Sequence, residues 1–378
     1  MTLEEGRAPG DAAASPATIS AGNELLVVDN LTVEFPTDDG VVQAVRGVSY
    51  QLAPGEVLGI VGESGSGKSV TSLAVMGLLP KSAIMRGSVR FRGQELLNQS
   101  DKTLRSVRGD KIAMIFQDPL TSLNPVYSIG WQLAEAVQAH HSHLNGKAAR
   151  ERSVDLLNLV GIPNAKSRVD DFPHEFSGGM RQRVVIALAM ANDPDVIIAD
   201  EPTTALDVTV QAQILETLET AQEQTGAAMV LITHDLGVIA GEADRILVMY
   251  AGKPVEIGTV DDVFYSPRMP YTLGLLGSLP RLDIRRQERL TPITGAPPSL
   301  INLPPGCPFT PRCPLSDDIC DQEEPQLRPT TNAGHVAACH FSDKLEGRKP
   351  SDLFEATAVD DAALEEMLAA GPGDGVSA

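Results

Sequence analysis

The sequence predicts an α/β fold, a mostly parallel sheet flanked by helices, and three observations predict it. A glycine-rich stretch, Gly62 to Ser69, lies between an apolar run at Val57 to Val61 and a helical stretch from Val70 to Met76, the strand-turn-helix order of a phosphate-binding loop. Short apolar runs then alternate with amphipathic ones as far as Glu242, as expected of strands buried on both faces. From about Ser266 prolines crowd the chain, and the four cysteines all follow. Proline forbids long regular elements, so a loop-rich extension is expected behind the core.

Residues 1–22 are rich in Ala, Gly, Pro, Ser and Thr without apolar periodicity, which predicts a disordered leader. Leu25 to Val28 and Leu31 to Phe35 read as strands, Pro36 to Gly40 as a turn and Val41 to Val45 as the return, together a small antiparallel β-unit. After the glycine-rich turn, strands are expected at Ser88 to Phe91 and Lys111 to Phe116, and helices at Ser128 to Ala139 and Lys147 to Val160. A helical subdomain over about 118–185 follows from these. Gln182 to Ala191 reads as an Ala-rich helix and Val196 to Ala199 as a buried strand. Asp207 stands at an N-cap position before Val210, Ile214, Leu218 and Ala221, which share one helical face. A strand at Ala228 to Ile232, a short helix at Leu236 to Glu242 and a hairpin of Arg245 to Tyr250 with Pro254 to Ile257 complete a domain spanning 23–265. The extension takes 266–342, and the acidic, Ala/Gly-rich residues 343–378 read as a mobile tail.

The chain has 378 residues and a formal net charge of -20, which argues against a nucleic-acid partner. No apolar window approaches the roughly 18 residues of a spanning helix, and a signal peptide is not recognisable. A cytosolic protein that meets membranes only through protein partners is expected. Thiols there stay reduced, so the cysteines point to metal ligation rather than disulfides.

The chemistry concentrates in a few positions. Gly62, Gly65 and Gly67 let the loop curl, so that the N–H groups of Glu63, Ser64, Ser66 and the helix start through Val70 aim at one anion. Lys68 is expected on the β- and γ-phosphates of ATP and Ser69 on Mg²⁺. Asp200 and Glu201 end an apolar strand and should divide two tasks, Asp200 holding the Mg²⁺ shell and Glu201 acting as general base on water. Gln117, at a strand end, can coordinate Mg²⁺ and orient water, and His234 can donate a hydrogen bond to the γ-phosphate. Ser177, Gly178 and Gly179 open a helix whose free N–H groups can receive an anion. Cys307, Cys313, Cys320 and Cys339 follow a C-x5-C-x6-C-x18-C spacing that matches neither the short zinc pairs nor the ferredoxin run, and leaves Zn²⁺ and a four-iron cluster both open.

In this order the motifs resemble the nucleotide-binding domain of ABC transporters: Walker A at Gly62 to Ser69, a Q-loop at Gln117, a signature at Phe176 to Met180, Walker B at Val196 to Glu201, a D-loop at Ala205 to Asp207 and an H-loop at His234. The resemblance spans about Leu25 to Ile257. It implies a P-loop NTPase core of ABC type, puts Phe35 on the adenine and assigns Asp207 to the nucleotide site. AVRGVSY from Ala44, FQDPLTSLNPV from Phe116, GCPFTPRCP from Gly306 and HVAACH from His335 narrow the likeness to the ATP-binding subunits of oligopeptide and dipeptide importers. That family implies a second, related ATPase subunit in a heterodimer, two membrane permeases, an extracytoplasmic peptide-binding protein and attachment to the cytoplasmic face of the membrane. It also tilts the cysteine set toward a [4Fe–4S] cluster over Zn²⁺. Nickel importers and non-transport ABC ATPases share the same site chemistry; the latter are disfavoured because no sustained heptads separate Lys68 from Ser177. One departure stands out: the family's commonest signature is LSGGQ, and Phe176 and Met180 replace its first and last residues.

Overall fold

Alternation along the central strands decides the architecture. The structure is a computed structural model describing residues 24–204, 206–279 and 291–354. The proposed leader, Ala205 and the last residues of the tail lie outside these. In chain order, β1 (Leu26–Thr37) and β2 (Gly40–Leu52) form a long hairpin, and β3 (Val57–Val61) leads through the glycine-rich turn into α1 (Lys68–Val75). Next come β4 (Ile84–Phe91), β5 (Gln94–Glu95), α2 (Asp101–Arg105) and β6 (Ile112–Ile115). A helical insert follows: α3 (Pro119–Ser122), α4 (Ile129–His140), α5 (Gly146–Leu159), α6 (Ala165–Arg168) and α7 (Gly178–Ala189). The chain returns to the sheet with β7 (Val196–Asp200), α8 (Val208–Thr225), β8 (Ala228–Thr233), α9 (Leu236–Glu242), β9 (Arg245–Tyr250) and β10 (Lys253–Thr259). The remainder holds α10 (Val260–Tyr265), α11 (Pro270–Gly277), α12 (Asp318–Gln322), β11 (Arg328–Pro329) and β12 (Val336–Ala337).

Two sheets result. The first is antiparallel, in the order β2-β1-β4-β5; the second has the order β11-β12-β10-β9-β3-β8-β7-β6, and β9, β3, β8, β7 and β6 in it are parallel. Successive side chains of a strand point to opposite faces. Val196 and Ile198 therefore join a core shared with the antiparallel sheet and α1, whereas Ile197 and Ala199 join a core shared with α4, α5, α7 and α8. Each fully buried Ile or Leu in these layers contributes about 1.5–3 kcal/mol. The layering puts the C-terminal ends of the parallel strands, where an α/β sheet presents its ligand site, beside the loop that follows β3.

Where two strands are expected before Pro36, one continuous strand is found. Pairing of β1 with β2 shifts register between Val28 and Leu31, a bulge that absorbs the polar Asp29-Asn30 pair without ending the strand. Asn30 takes a left-handed φ of 45° and its N–H donates to Ser49 Oγ at 2.8 Å, a conformation asparagine tolerates better than most residues. The extension also lies closer to the core than its composition predicts. β12 pairs antiparallel with β10, Ile257 opposite Val336, and β11 pairs with β12. Among the described residues no helix is long and apolar enough to cross a membrane.

Candidate nucleotide site

The loop after β3 is shaped by backbone geometry that only glycine supplies. Gly62, Gly65 and Gly67 have φ of 152°, 79° and 98°, values that L side chains rarely adopt. A Cβ on Gly62 would stand 2.3 Å from the carbonyl oxygen of Met249, and one on Gly67 would stand 2.4 Å from that of Ala44. Gly65 has open space around it and is needed for its φ alone. Lys68 is 4% exposed, and its ammonium donates to the carbonyls of Gly62 at 2.7 Å and Glu63 at 3.0 Å. An ammonium has three protons, so one remains for a phosphate oxygen. Burial pulls its pKa below the usual lysine value, while the charges of Glu201, Asp200 and Glu63 oppose that shift.

The acidic pair at the end of β7 divides as alternation requires. Asp200 is buried and its Oδ1 accepts from Ser69 Oγ at 3.0 Å; burial pushes its carboxyl pKa up, against the Ser69 hydrogen bond. An oxygen set of Ser69, Asp200 and the nearby Gln117 amide fits a hard cation such as Mg²⁺, which takes one or two protein carboxylates and keeps waters. Glu201 faces the cavity instead. Its Oε2 receives Gln117 Nε2 at 3.1 Å and Thr204 Oγ1 at 2.9 Å, and lies 3.4 Å from His234 Nδ1. The residue is held at φ 48°, with its N–H donating to the Ile232 carbonyl at 2.9 Å. Such strain in a non-glycine residue costs about 1–3 kcal/mol and persists where neighbours over-determine it, often at reacting centres.

One cavity of about 580 Å³ is lined by Gly62 to Val70, Gln117, Glu201, His234 and Leu275. The structure thus brings together the loop, the Q-loop glutamine, the strand-end glutamate and the histidine. It does not bring Phe35, Asp207, Ser177, Gly178 or Gly179 to that cavity. Phe35 pairs with Val42 in the first hairpin. Ser177 caps α7, its Oγ accepting from Met180 N–H at 3.3 Å, and Asp207 caps α8 by accepting from Val210 N–H at 3.0 Å.

A rigid glycine turn, a buried lysine and a glutamate at the end of a neighbouring parallel strand, all in one cavity, are what the known relatives then explain. Residues 45–204 match the ABC transporter family and residues 255–320 the C-terminal region of oligopeptide/dipeptide transporters. The dipeptide transport ATP-binding protein DppD of Bacillus subtilis is 53% identical over 323 residues, 85% of this chain and 96% of the relative. The chain belongs to the ATP-binding proteins of the ABC oligopeptide/dipeptide transporter family. The oligopeptide transport ATP-binding protein OppD of Mycobacterium tuberculosis is 56% identical over 330 residues, 87% of this chain but 54% of the relative. The chain therefore spans about half the length of that mycobacterial protein. Among solved structures, the cassette MJ0796, a dimer in a post-hydrolysis state with ADP and Pi, superposes with a TM-score of 0.56 at 27% identity, covering 62% of this chain and 98% of its own. The cbiO1 protein of Clostridium perfringens gives 0.55 at 28% identity, with 67% and 95% covered.

The second region characteristic of this transporter family is smaller and more enclosed. Cys307, Cys313, Cys320 and Cys339 line one small cavity together with Met269, Phe309, Leu315, His340 and Phe341. Gly306 makes the approach of its two arms possible, since a Cβ there would stand 2.1 Å from the Cys320 carbonyl oxygen. Burial pushes the Cys307 thiol up, Cys313 up to about 11 and Cys339 up to about 12. Among the described residues no three His, Cys, Asp or Glu side chains gather closely enough to hold one metal ion. That arrangement supports neither the Zn²⁺ nor the four-iron expectation. His335 is turned away, buried on Glu256 at 2.8 Å.

Several residues at the site carry no sequence signal. Thr204 on Glu201, Leu275 in the cavity wall and Tyr271, whose hydroxyl accepts from Glu63 N–H at 2.8 Å, belong to no motif. A threonine three positions beyond a candidate base is the one hint available for Thr204; tertiary packing alone places the other two.

Proposed function

We propose that this chain is the ATP-hydrolysing subunit that powers import of oligopeptides or dipeptides through an ABC permease. The observation that carries the proposal is the convergence of Lys68, Gln117, Glu201 and His234 on one cavity floored by the glycine loop. Lys68 and the loop N–H groups grip the β- and γ-phosphates, and His234 donates to the γ-phosphate. Ser69, Gln117 and Asp200 would hold Mg²⁺, which would supply charge neutralisation to the phosphate oxygens. Glu201 takes a proton from the attacking water, its Oε2 already oriented by Gln117 and Thr204.

Ser177, Gly178 and Gly179 complete the site from a second subunit, because within one chain they stand away from the cavity and offer a capped helix start. The dimeric state of the cassette MJ0796 supports that reading, in which Phe35 meets the adenine and Asp207 lies between the paired subunits. A related ATPase is the proposed second subunit. The permeases dock near the exposed aromatic pair Tyr127 and Trp131, stacked at 4.0 Å in the helical insert, ten and more residues beyond Gln117. Through them the chain sits peripherally on the cytoplasmic face, served outside by a peptide-binding protein. On the family likeness alone, the four cysteines around one cavity would hold a [4Fe–4S] cluster, with Zn²⁺ as the alternative.

Reconstitution with the neighbouring permeases tests the reading. Peptide-stimulated ATP hydrolysis that disappears in Lys68→Ala is expected; nickel-stimulated hydrolysis would redirect the substrate, and undiminished hydrolysis in Lys68→Ala would overturn the site.

A further inference from the structure

Arg312, in the extension, reaches the nucleotide loop. Its side chain is 4% exposed and forms a two-pronged pair with Glu63, Nη1 to Oε2 at 2.6 Å and Nη2 to Oε1 at 2.8 Å. Its Nε donates to the Thr294 carbonyl at 3.1 Å, and Nη1 also donates to the Tyr250 hydroxyl at 3.4 Å. Glu63 is the second residue of the glycine loop, and its other polar atoms are held too. Its N–H donates to Tyr271, and its carbonyl accepts from Lys68. Tyr250, Tyr271 and Phe309 pack as one aromatic group with centroids 4.6–5.5 Å apart. Phe309 and Cys313, the residue after Arg312, both line the cysteine cavity. A chain of direct contacts therefore runs from that cavity through Arg312 and Glu63 to Lys68.

The chemistry of the pair suits positioning. Burying an arginine and a carboxylate gains little over apolar packing, whereas the planar fork fixes the direction of both oxygens. A loop that must present N–H groups to phosphate within a few tenths of an ångström needs that kind of constraint.

We infer that Arg312 is a positioning residue for nucleotide, a clamp through Glu63 that makes the geometry of the phosphate loop depend on how the cysteine-lined cavity is packed. The inference rests on the assignment of Gly62 to Ser69 as the phosphate loop. Linkage requires the reverse effect as well, with bound nucleotide steadying the cavity.

The test titrates the full chain with Mg²⁺ and a non-hydrolysable ATP analogue and follows amide exchange over residues 306–341. Arg312→Gln is expected to weaken analogue binding about tenfold, the loss of a charge-assisted hydrogen-bonded pair. Arg312→Lys should recover part of it, and Glu63→Gln with Arg312→Gln should lose no more than either change alone. In hydrolysis the loss should raise KM more than it lowers kcat. The analogue should slow exchange over 306–341 in the unaltered chain and not in Arg312→Gln. If Arg312→Gln does not fold, Arg312→Lys and Glu63→Gln give the same two readouts. Analogue binding within twofold of the unaltered chain in every folded variant, with the exchange response intact, would overturn the inference. Lys68→Ala is the control: unchanged binding there would remove the phosphate-loop assignment itself, whereas lost binding beside unaffected Arg312 and Glu63 variants would remove only the clamp.

Discussion

The glycine loop at Gly62 to Ser69 and the cysteine turn beginning at Gly306 solve one packing problem for opposite ends. In both, a glycine lets backbone come against backbone: a Cβ would stand 2.4 Å from the Ala44 carbonyl at Gly67 and 2.1 Å from the Cys320 carbonyl at Gly306. In both, burial penalises charge, lowering the pKa of the Lys68 ammonium and raising those of the thiols. The difference is access. The loop opens onto about 580 Å³ lined largely by polar residues, whereas the cysteines share a much smaller, mainly apolar cavity with Met269, Phe309 and Phe341. An open site suits a ligand that must come and go each cycle. A more enclosed one suits packing that holds the fold around it.

The hardest way to break this contrast is at the proposed general base, Glu201. Glu201→Gln should lower kcat for ATP hydrolysis by about 10²–10⁴-fold, the span of general-base contributions, while a nucleotide-binding assay shows ATP retained. The extension should be indifferent, with its amide exchange over residues 306–341 unchanged without nucleotide. Turnover close to that of the unaltered chain would remove Glu201 as the base.

How far the two regions were legible follows from the same contrast. The nucleotide site is written in short motifs because its chemistry is local: the loop backbone, Lys68 and Ser69 are contiguous, and Asp200 and Glu201 are adjacent at one strand end. Hairpin and helix periodicity also gave β7, β8, α9 and β9 to within about a residue of where they lie. The bulge at Asn30 was not legible, because whether a polar pair ends a strand or is absorbed by it depends on the partner strands. Nor was the short strand Val336–Ala337, two residues whose pairing comes from β10 and β11 rather than from their own pattern. Arg312 and Glu63 are separated by |i−j| = 249 in sequence, so their pair has no local signature at all.

A smaller effect sharpens the comparison at the glycines. Gly306→Ala drives a methyl into the backbone of Cys320 and Asp321, neither of which can rotate away, and should cost about 1–3 kcal/mol or more in urea-unfolding free energy. Gly65→Ala meets no atom within 4 Å and bears only the penalty of its left-handed φ, about 1 kcal/mol, yet it should weaken nucleotide binding because the loop N–H directions change. The closed region is expected to fail in stability and the open one in binding. If Gly306→Ala unfolded at the same urea concentration as the unaltered chain, the tight packing assigned to the cysteine turn would be wrong.

The smallest effect is expected where the signature departs from the family's commonest form. Phe176 and Met180 are joined by one side chain: the Arg168 guanidinium lies 5.3 Å from the Phe176 ring centroid, and its Nη1 lies 3.6 Å from Met180 Sδ. Phe176 is buried at 2% exposure, so the two departures form a local packing unit rather than two independent losses of polar contact. A cation over an aromatic face is worth about 0.5–1 kcal/mol at partly exposed sites, and a sulfur contact about as much. Met180→Gln alone should therefore change thermal stability by less than about 1 kcal/mol, since the glutamine carbonyl can accept from Arg168 in place of sulfur. Its effect on hydrolysis should appear only when the chain is paired, because α7 begins away from the cavity of its own subunit. A change in single-turnover rate of the isolated chain, equal to that of the paired one, would mean that the signature acts within its own chain, and would erase the division of the site between two subunits.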